Sequence, residues 1–437
     1  MTYEETLEYL YKRTFAFHQI GSKAYKPGLE RSITLDTEMG RPHRNYQTIH
    51  VGGTNGKGSV AHLLAAILRE SKYKVGLYTS PHLLDFGERI RVNGKKIPQK
   101  YVIDFVERYK STINLLAPSF FELTSSMAFD YFRHKKVDYA VIEVGLGGRL
   151  DSTNIISPQL SIITNISLDH TQYLGHTLTQ IASEKAGIIK QNVPVIIGEA
   201  KDENIRQIFL NKAKAMNSSI RFADEEHILL NSRRIDNKWE YSSSDYGTFV
   251  GELEGPVQKQ NTQTVLTALR TLKQLRVKIT QKAVQKAFEK VTQLTGLMGR
   301  WQILQSSPLV IGDTGHNVGA WEYLSKQLKE YAEKHSKLRM IIGMVDDKDI
   351  DALLSLMPSH GIYYFTQASV QRALPVSTIV EKAQKYQLTG KGYPTVPEAV
   401  KAALSDAKPD DLIFIGGSTF VVADAIPSFV NDINQLT

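Results

Sequence analysis

The sequence contains no cysteine, and it has no apolar run long enough to cross a membrane. The absence of cysteine excludes disulfides, thiolate metal ligands and cysteine nucleophiles. A membrane-spanning helix needs about 20 consecutive apolar residues, and no stretch approaches that length. The N-terminal segment MTYEETLEYLYKRTF is acidic and amphipathic, so it predicts a helix, and it lacks the basic start and apolar centre of a signal peptide. We therefore expect a cytoplasmic protein with no membrane partner.

The sequence also has no dense run of one charge. Its net charge is +8, but the lysines and arginines are interspersed with aspartates and glutamates. The simplest interpretation is a solvated surface, and the second is attraction of polyanionic small molecules such as ATP or an acidic substrate. Nucleic acid ranks third, so we predict small-molecule substrates and no nucleic-acid partner. We also expect the protein to be a monomer.

Strand-like and helix-like segments alternate along most of the chain, which predicts parallel sheets with crossover helices. Strands are predicted at 48–52, 74–79, 137–144, 160–166, 193–197, 309–312, 340–345, 362–366 and 412–416. A β-meander is expected at 220–253, and a glycine-containing linker at 292–301. We therefore expect two domains, residues 1–295 and a smaller α/β domain of residues 296–437.

The segment TIHVGGTNGKGSV, Thr48 to Val60, combines a strand, a Gly-rich turn, a lysine and the start of a helix. The glycines let backbone N–H groups point at phosphate oxygens, and a helix N-terminus adds positive partial charge. Lys57 supplies a mobile cation, and Ser59 can offer a hydroxyl to Mg²⁺ or to a phosphate. The P-loop match is imperfect because Gly58 separates Lys57 from Ser59, and Gly-rich turns without phosphates are common. We nevertheless predict a nucleotide phosphate site.

Polar side chains follow two of the predicted strands. Glu143 ends one strand, and Asp169 and His170 follow the next. Ligands in open α/β sheets collect at the carboxyl ends of strands, where a carboxylate can bind Mg²⁺. The alternatives are an ion pair between Glu143 and Arg149, and a surface or hydrogen-bonding role for His170.

Two further residues are predicted to reach the same edge. Ser80 follows a strand, so its hydroxyl can face the phosphate site. Lys185 lies in a helix predicted at 178–190, with Thr179 as its N-cap. A lysine there is ordinarily solvated, but the small residues Ala186-Gly187 that follow it would allow close approach to the edge of the sheet.

The segment between Tyr78 and Ile97 contains a second set of charges. Loop ion pairs are the simple interpretation for Glu88, Arg89 and Arg91. Asn93-Gly94, between β-leaning residues, predicts a hairpin turn.

In the second domain, Arg300 precedes the first predicted strand, and Asp313 and His316 follow it. These residues could close over a nucleotide opposite the first domain. The alternative is helix N-capping by Asp313 or Asn317.

Taken in order, these motifs resemble the folylpolyglutamate synthase and dihydrofolate synthase family of Mur-type ligases over almost the whole chain. The motifs are GTNGKGS (53–59), TSPHL (79–83), ERIRVNG (88–94), FFELT (120–124), EVGLGGRLDSTN (143–154), SLDHTQYLG (167–175), SEKAGIIK (183–190) and DTGHN (313–317). GTNGKGS is shared with other Mur-type ligases, whereas TSPHL, ERI–NG and FFE point to the folate branch. The resemblance implies an α/β protein. Its P-loop-type, mostly parallel sheet is flanked by helices as in the Mur ligase central domain, and a smaller Rossmann-like C-terminal domain follows.

The resemblance also implies the roles of individual residues. It implies that ATP is bound by Gly56, Lys57, Gly58, Ser59, Asn261, Arg300 and Asp313, and Mg²⁺ by Ser80, Glu143 and His170. It implies a pterin and folate site at Phe121, Glu122, Leu123, Thr124, Asp151, Ser152 and Thr153, extending to the segment around Lys26–Glu30. The implied catalytic residues are Lys57, Lys185, His170 and His316. In this family the lysine at position 185 carries a carbamate, which turns a cation that would repel magnesium into an anionic ligand.

The implied reaction joins a folate-type carboxylate to the amine of L-glutamate through an acyl phosphate, with ATP and Mg²⁺ as cofactors. The acceptor is dihydropteroate, tetrahydrofolate or both. Three alternatives stay open: another Mur-type ligase acting on a UDP-linked peptidoglycan precursor, a P-loop phosphotransferase or nucleotide switch, and a nucleotide-binding module without activity.

Overall fold

The computed structural model describes residues 1–13 and 28–429, and the chain divides into two compact units. The first unit comprises residues 1–167, 171–253 and 257–297. The second comprises residues 168–170, 254–256 and the chain from 298 onward, so two short segments group with the C-terminal unit although they precede it in sequence. No helix in the described ranges is long and apolar enough to cross a bilayer.

The first unit is built on an eight-stranded sheet. Its strands are β1 (Gln47–Gly52), β2 (Val75–Tyr78), β3 (Ile90–Val92), β4 (Lys95–Lys96), β5 (Tyr139–Glu143), β6 (Leu160–Ile163), β7 (Val195–Ile197) and β8 (Ile220–Phe222). The spatial order is β4-β3-β2-β5-β1-β6-β7-β8, and all neighbours are parallel except the β2–β3 and β3–β4 pairs. The strands that follow β1 in sequence lie on both sides of it. The carboxyl end of β1 is therefore a topological switch point, where open α/β sheets bind ligands.

Helices cover both faces of this sheet. They are α1 (Tyr3–Arg13), α2 (Glu30–Glu38), α3 (Lys57–Glu70), α4 (Gln99–Arg108), α5 (Lys110–Leu116), α6 (Phe120–Lys135), α7 (Thr171–Leu174), α8 (Leu178–Lys185), α9 (Glu203–Ala215), α10 (Val257–Gln274), α11 (Gln281–Glu289) and α12 (Val291–Thr295). Every residue of α3 from Gly58 to Leu68 is buried, since the helix lies against the sheet and against α10, α11 and α12. A separate antiparallel sheet contains β9 (Leu229–Ile235), β10 (Lys238–Ser243) and β11 (Gly247–Gly251).

The second unit is a smaller α/β layer structure. Its strands are β12 (Gln302–Ser306), β13 (Leu309–Gly312), β14 (Leu338–Ile342), β15 (Ile362–Phe365), β16 (Gly390–Gly392) and β17 (Leu412–Gly416), in the order β12-β13-β17-β14-β15-β16. Its helices are α13 (Val318–Ala332), α14 (Ile350–Ser355), α15 (Val376–Gln384), α16 (Val396–Asp406) and α17 (Thr419–Ala425). Apolar clusters lie on both faces of the sheet, and β12 is the antiparallel edge strand.

Most of the predicted elements are confirmed, and four details are corrected. The helix predicted at 178–190 ends at Lys185 and tightens into a 3₁₀ turn, Ala186–Ile188. Its N-cap is Thr177, whose hydroxyl accepts the Gln180 N–H, and not Thr179. Gly187, within this turn, lies against the backbone of Arg149, where an added Cβ would come within 2.4 Å.

The other two corrections concern strands. Residues 220–222 were expected in the meander, but they extend the parallel sheet as β8. The edge strands β12 and β16 were not predicted, because β12 contains a bulge and β16 is a fully exposed Gly-Lys-Gly segment. The Asn93-Gly94 turn between β3 and β4 is confirmed, with both residues at positive φ.

Candidate active site

The turn after β1 is shaped by glycine and is fastened to the residues that follow β6. Gly53 has φ +131°, and an added Cβ would lie 1.9 Å from the Thr164 hydroxyl oxygen. The Thr54 N–H donates to the Asn165 carbonyl at 3.0 Å, and the Thr164 hydroxyl donates to the Asn55 carbonyl at 2.6 Å. Larger residues would therefore open the turn and displace the start of α3.

Helix α3 begins at Lys57 directly after this turn. Its N-cap, Gly56, is left-handed at φ +83°, and no side chain caps the helix. The start of an uncapped helix presents N–H groups and positive partial charge, which suits a phosphate. Asn261, on α10, lies against Gly56: its Oδ1 would be 2.3 Å from a Cβ there, and its amide donates to Gln258 at 3.0 Å. The first unit therefore brings Asn261 to the glycine turn.

Two lysine ammonium groups converge on one carbonyl oxygen of the turn. Lys57 Nζ donates to the Gly53 carbonyl at 3.1 Å and to the Thr54 carbonyl at 2.9 Å. Lys185 Nζ donates to the same Gly53 oxygen at 2.8 Å, and the Lys185 residue is only 4% exposed. Lys185 is therefore not on a solvated helix face. Both lysine side chains therefore reach the glycine turn.

Ser80 and Glu143, on neighbouring strand ends, are in direct contact. The Ser80 backbone N–H donates to the buried Glu143 carboxylate at 3.0 Å. Arg149 forms an ion pair with Glu184 at 2.8 Å. Its pairing with Glu143 stays an alternative prediction. A carboxylate and a hydroxyl are hard oxygen donors of the kind that Mg²⁺ takes, with water and phosphate oxygens completing its shell. The residues present therefore fit a magnesium ion, although no cluster of three or more His, Cys, Asp or Glu within residues 1–13 and 28–429 forms an all-protein metal site.

The start of α6 forms a polar and aromatic wall. Glu122 closes a capping box with Ser119 and pairs with Arg31 Nε at 3.1 Å. Phe121 lies over Gly145, where a Cβ would come within 2.2 Å of its ring. The Thr124 hydroxyl is 3.0 Å from the Tyr78 hydroxyl. Leu123 and Thr124 are both completely buried. Of the segment around Lys26–Glu30, Lys26 and Pro27 lie outside the described residues.

The loop Asp151–Thr153 is held by a buried hydrogen-bond chain. Asp151 accepts the N–H groups of Leu146 at 2.8 Å and Thr153 at 3.0 Å. The Thr153 hydroxyl donates to Asp151 and lies 2.8 Å from His50 Nε2, so His50 is the donor to Thr153. Burial lowers the pKa of His50 to about 3, aided by the nearby charge of Lys190, so this imidazole is neutral. Burial raises the pKa of Asp151, which these hydrogen bonds oppose.

Ser152 completes the connection between this loop and α6. Its hydroxyl lies 2.9 Å from that of Ser125, and both side chains are buried. The first unit thus brings both halves of the predicted folate site together.

In the second unit, Asp169 organises the residues around His170 and His316. It accepts hydrogen bonds from Asn317 Nδ2 at 2.9 Å and Lys348 Nζ at 2.5 Å, and His316 Nε2 lies 3.5 Å away. Burial opposes ionisation of Asp169, but the charges of His170 and Lys348 and the His316 contact lower its pKa well below the usual range. His170 itself has a left-handed backbone at φ +48°.

Arg300 and Asp313 lie together at the start of the second unit. Asp313 accepts the N–H groups of Trp301 and Gly315, each at 2.8 Å, and Arg300 Nη1 donates to the Thr314 hydroxyl. Burial raises the pKa of Asp313, while the Arg300 charge opposes that shift. Asn317, and not Asp313, caps α13 by accepting the Ala320 N–H.

Sequence reasoning missed three residues of these networks. Lys348 follows β14, and its position after a predicted strand was a usable signal. His50 lies inside a strand, and Arg31 lies far from Glu122 in sequence, so neither carried a local signal.

Comparison with protein-family models finds two matches. The Mur ligase middle domain model matches residues 51–268, and the Mur ligase glutamate ligase domain model matches residues 299–419. The dihydrofolate synthase/folylpolyglutamate synthase of Escherichia coli K12 is 32% identical over 409 residues, covering 92% of this chain and 91% of that protein. This chain belongs to the folylpolyglutamate synthase/dihydrofolate synthase family of Mur ligases. It is an ATP-dependent amide-forming ligase, and the fold class predicted from the sequence is confirmed.

Two solved structures extend the comparison. E. coli FolC in complex with DHPP and ADP has a TM-score of 0.84 and 31% identity, covering 98% of this chain and 97% of that one. The bifunctional folylpolyglutamate synthase/dihydrofolate synthase of Yersinia pestis, complexed with AMPPNP and Mn ion, has a TM-score of 0.81 and 27% identity, covering 98% of each chain.

Proposed function

We propose that this protein joins the carboxylate of a pteroate or folate to the amine of L-glutamate, with ATP cleaved to ADP and phosphate. The observation that carries the proposal is the convergence of Lys57 and Lys185 on the Gly53 carbonyl, at an uncapped helix start. Family membership and the nucleotide complexes of the relatives support it. ATP and a divalent metal are the cofactors.

The reaction proceeds in two transfers. A carboxylate oxygen of the acceptor attacks the γ-phosphorus of ATP, the bond to the β-phosphate oxygen breaks, and an acyl phosphate and ADP result. The L-glutamate amine then attacks the acyl carbon, loses a proton and displaces phosphate, which keeps the original carboxylate oxygen. Phosphoryl transfer depends mainly on positioning and on neutralising charge.

The first unit supplies those groups. In the proposal, Gly56, Gly58 and Ser59 present backbone N–H groups to the phosphates, and Lys57 turns from the Gly53 carbonyl to the transferring group. Asn261 lines the nucleotide side of the turn. Magnesium held by Ser80, Glu143 and His170 would supply charge neutralisation on the phosphate oxygens.

The carbamate that the family resemblance implies for Lys185 is part of the proposal, and the buried position of this lysine supports it. A permanently cationic lysine, buried beside Lys57 and near a magnesium site, would repel the ion. Carbon dioxide adds to the neutral amine and one N–H proton is released to solvent. The resulting carbamate is an anionic oxygen donor, which reverses the sign of that interaction.

The proposal also assigns the residues that bind the acceptor and the role of each domain. We place the pterin and benzoyl parts of the acceptor against the segment Phe121–Thr124, which includes Leu123, and the loop Asp151–Thr153. Residues 1–295 are proposed as the ATP-binding domain and residues 296–437 as the glutamate ligase domain, in which Arg300 and Asp313 contact the nucleotide and His316 lies beside them.

We further propose that the protein is a cytoplasmic monomer, in line with its cysteine-free sequence and small-molecule substrates.

The test is incubation of the purified protein with ATP, Mg²⁺ and L-glutamate, in parallel with 7,8-dihydropteroate and with tetrahydrofolate. Products are identified by mass. We expect the mass of one glutamyl residue to be added to at least one acceptor. Addition to both defines a bifunctional synthase, and addition to one assigns that activity. Addition to neither contradicts the proposal, and the assay then turns to UDP-linked peptidoglycan precursors. Phosphate release without L-glutamate would favour a phosphotransferase.

A further inference from the structure

Arg89 is a buried cation in the ERIRVNG segment to which the proposed reaction assigns no role. It ends the 3₁₀ turn Phe86–Arg89 just before β3, and it is only 4% exposed. Its Nε donates to His82 Nδ1 at 2.7 Å, and its guanidinium carbon lies 5.1 Å from the centre of the Phe120 ring. The simple expectation that Arg89 forms a loop ion pair is wrong for the described residues, since none of their carboxylates pairs with it.

The carboxylates whose charge reaches Arg89 are occupied elsewhere. Glu88 accepts the N–H groups of Leu83 at 2.8 Å, Leu84 at 3.1 Å and Asp85 at 2.9 Å. Glu143 accepts the Ser80 N–H. Burial lowers the pKa of the Arg89 guanidinium, and the charges of Tyr78, Tyr11, Glu88 and Glu143 oppose that shift.

Arg339, in the second unit, is a buried arginine that has a carboxylate partner and can be compared with Arg89. Arg339 is similarly buried, and its Nε donates to the Asp411 carboxylate at 2.8 Å while Nη1 donates to the Tyr364 hydroxyl at 2.7 Å. A buried charge without a counterion destabilises a protein, and evolution usually pairs it. The Arg89 guanidinium keeps N–H donors in the planar arrangement that binds a carboxylate through two oxygens.

The surroundings of Arg89 indicate which carboxylate it takes. Phe120 lies beside the guanidinium, and Tyr11 stacks on Phe120 at 5.3 Å. Burial raises the pKa of Tyr78, and the Arg89 charge opposes that shift. The Tyr78 hydroxyl is hydrogen-bonded to that of Thr124, in the segment proposed to bind the acceptor. An aromatic acid, rather than a small amino acid, matches this combination of rings and one cation.

We propose that Arg89 binds the carboxylate of the aromatic acceptor, and so selects an anionic acceptor over a neutral one. This inference rests on the proposed function, because it assumes a pteroate or folate acceptor. The competing source of a carboxylate is L-glutamate, and the test separates the two.

The experiment compares Arg89→Met and Arg89→Lys with wild type, and Arg91→Met is the matched control. Arg91 is equally buried two residues away, but it donates to the main-chain carbonyl of Gly296. Dissociation constants are measured for 7,8-dihydropteroate and for its carboxamide. A hydrogen bond to a charged group contributes 1.5–3 kcal/mol, so Arg89→Met should weaken binding of the acid roughly 10- to 100-fold. Binding of the carboxamide should change by less than about threefold, because it offers no charge.

Three further readouts accompany binding. Arg89→Lys should recover part of the preference for the acid, and Arg91→Met should keep the wild-type ratio of acid to amide affinity. The KM for L-glutamate should be unchanged in Arg89→Lys. The ligand-free Arg89→Met protein should have an equal or higher Tm, since an uncompensated buried cation is replaced by an apolar side chain.

Equal losses of acid and amide affinity, or a lower Tm, would assign Arg89 a structural role and overturn the inference. A raised KM for L-glutamate with unchanged acceptor affinity would do the same. If Arg89→Met does not fold, an unchanged acid-to-amide ratio in Arg89→Lys decides against it. If the wild-type protein adds glutamate to neither acceptor, the proposed function is wrong. If the wild-type protein is active and Arg89→Met keeps the wild-type affinity for the acid, only the role of Arg89 is wrong.

Discussion

Replacing Lys57 with alanine is expected to lower kcat by at least about 10³-fold while the protein stays folded, because a cation on the transferring phosphoryl group supplies effects of that size. In the structure, Lys57 Nζ is held by the carbonyls of Gly53 and Thr54, directly at the start of α3. The Lys57 side chain thus lies at the glycine turn. The measurement is steady-state ADP release, with circular dichroism to verify folding.

Lys74→Ala provides the matched control for Lys57→Ala. Lys74 is an exposed lysine just before β2, so its loss removes the same charge without touching the turn. We expect this control to retain wild-type activity. Near-normal turnover by Lys57→Ala would remove Lys57 from the mechanism.

Replacing Glu143 with alanine is expected to lower kcat roughly 10²- to 10³-fold, since a metal ion contributes several kcal/mol to phosphoryl transfer and each 1.36 kcal/mol is tenfold in rate. The Glu143 carboxylate is buried and accepts the Ser80 N–H, so it links two neighbouring strand ends. The apparent Mg²⁺ requirement should rise in parallel. The measurement is ADP release across a Mg²⁺ titration.

Glu184→Gln is the control for Glu143→Ala. It removes the carboxylate that actually pairs with Arg149. If Glu143 were only a structural strand-end residue, its variant would keep the wild-type Mg²⁺ dependence and lose stability instead. Such a result would contradict the metal assignment.

The sequence predicts the features that depend on neighbouring residues. The strand, turn and helix around Lys57 follow from glycine spacing and apolar pattern, and the hairpin at Asn93-Gly94 follows from residues that tolerate positive φ. The alternation of strands and helices likewise predicts two α/β units. In these cases the signal and its structural effect lie within about a dozen residues of each other.

The features that escaped prediction depend on contacts between distant segments. Lys185 is buried, and its ammonium donates to Gly53, 132 residues earlier in the chain. The sequence did not predict the ion pair of Arg149 with Glu184. The segments that carry these two residues are brought together by close packing at Gly148 and Gly187. The sequence places Glu88 directly before Arg89 and so suggests an ion pair, but the Glu88 carboxylate accepts main-chain N–H groups instead. Tertiary packing, and not local pattern, decides each of these positions.

The most direct test of the mechanism is the fate of an acceptor carboxylate oxygen. Dihydropteroate labelled with heavy oxygen in its carboxylate is incubated with the protein, ATP, Mg²⁺ and L-glutamate, and the released phosphate is analysed by mass spectrometry. If the carboxylate attacks the γ-phosphate and L-glutamate then displaces phosphate, one heavy oxygen appears in each phosphate released. Phosphate that carries no heavy oxygen, while the glutamyl product still forms, would contradict the acyl phosphate and with it the central role given to Lys57 and its glycine turn.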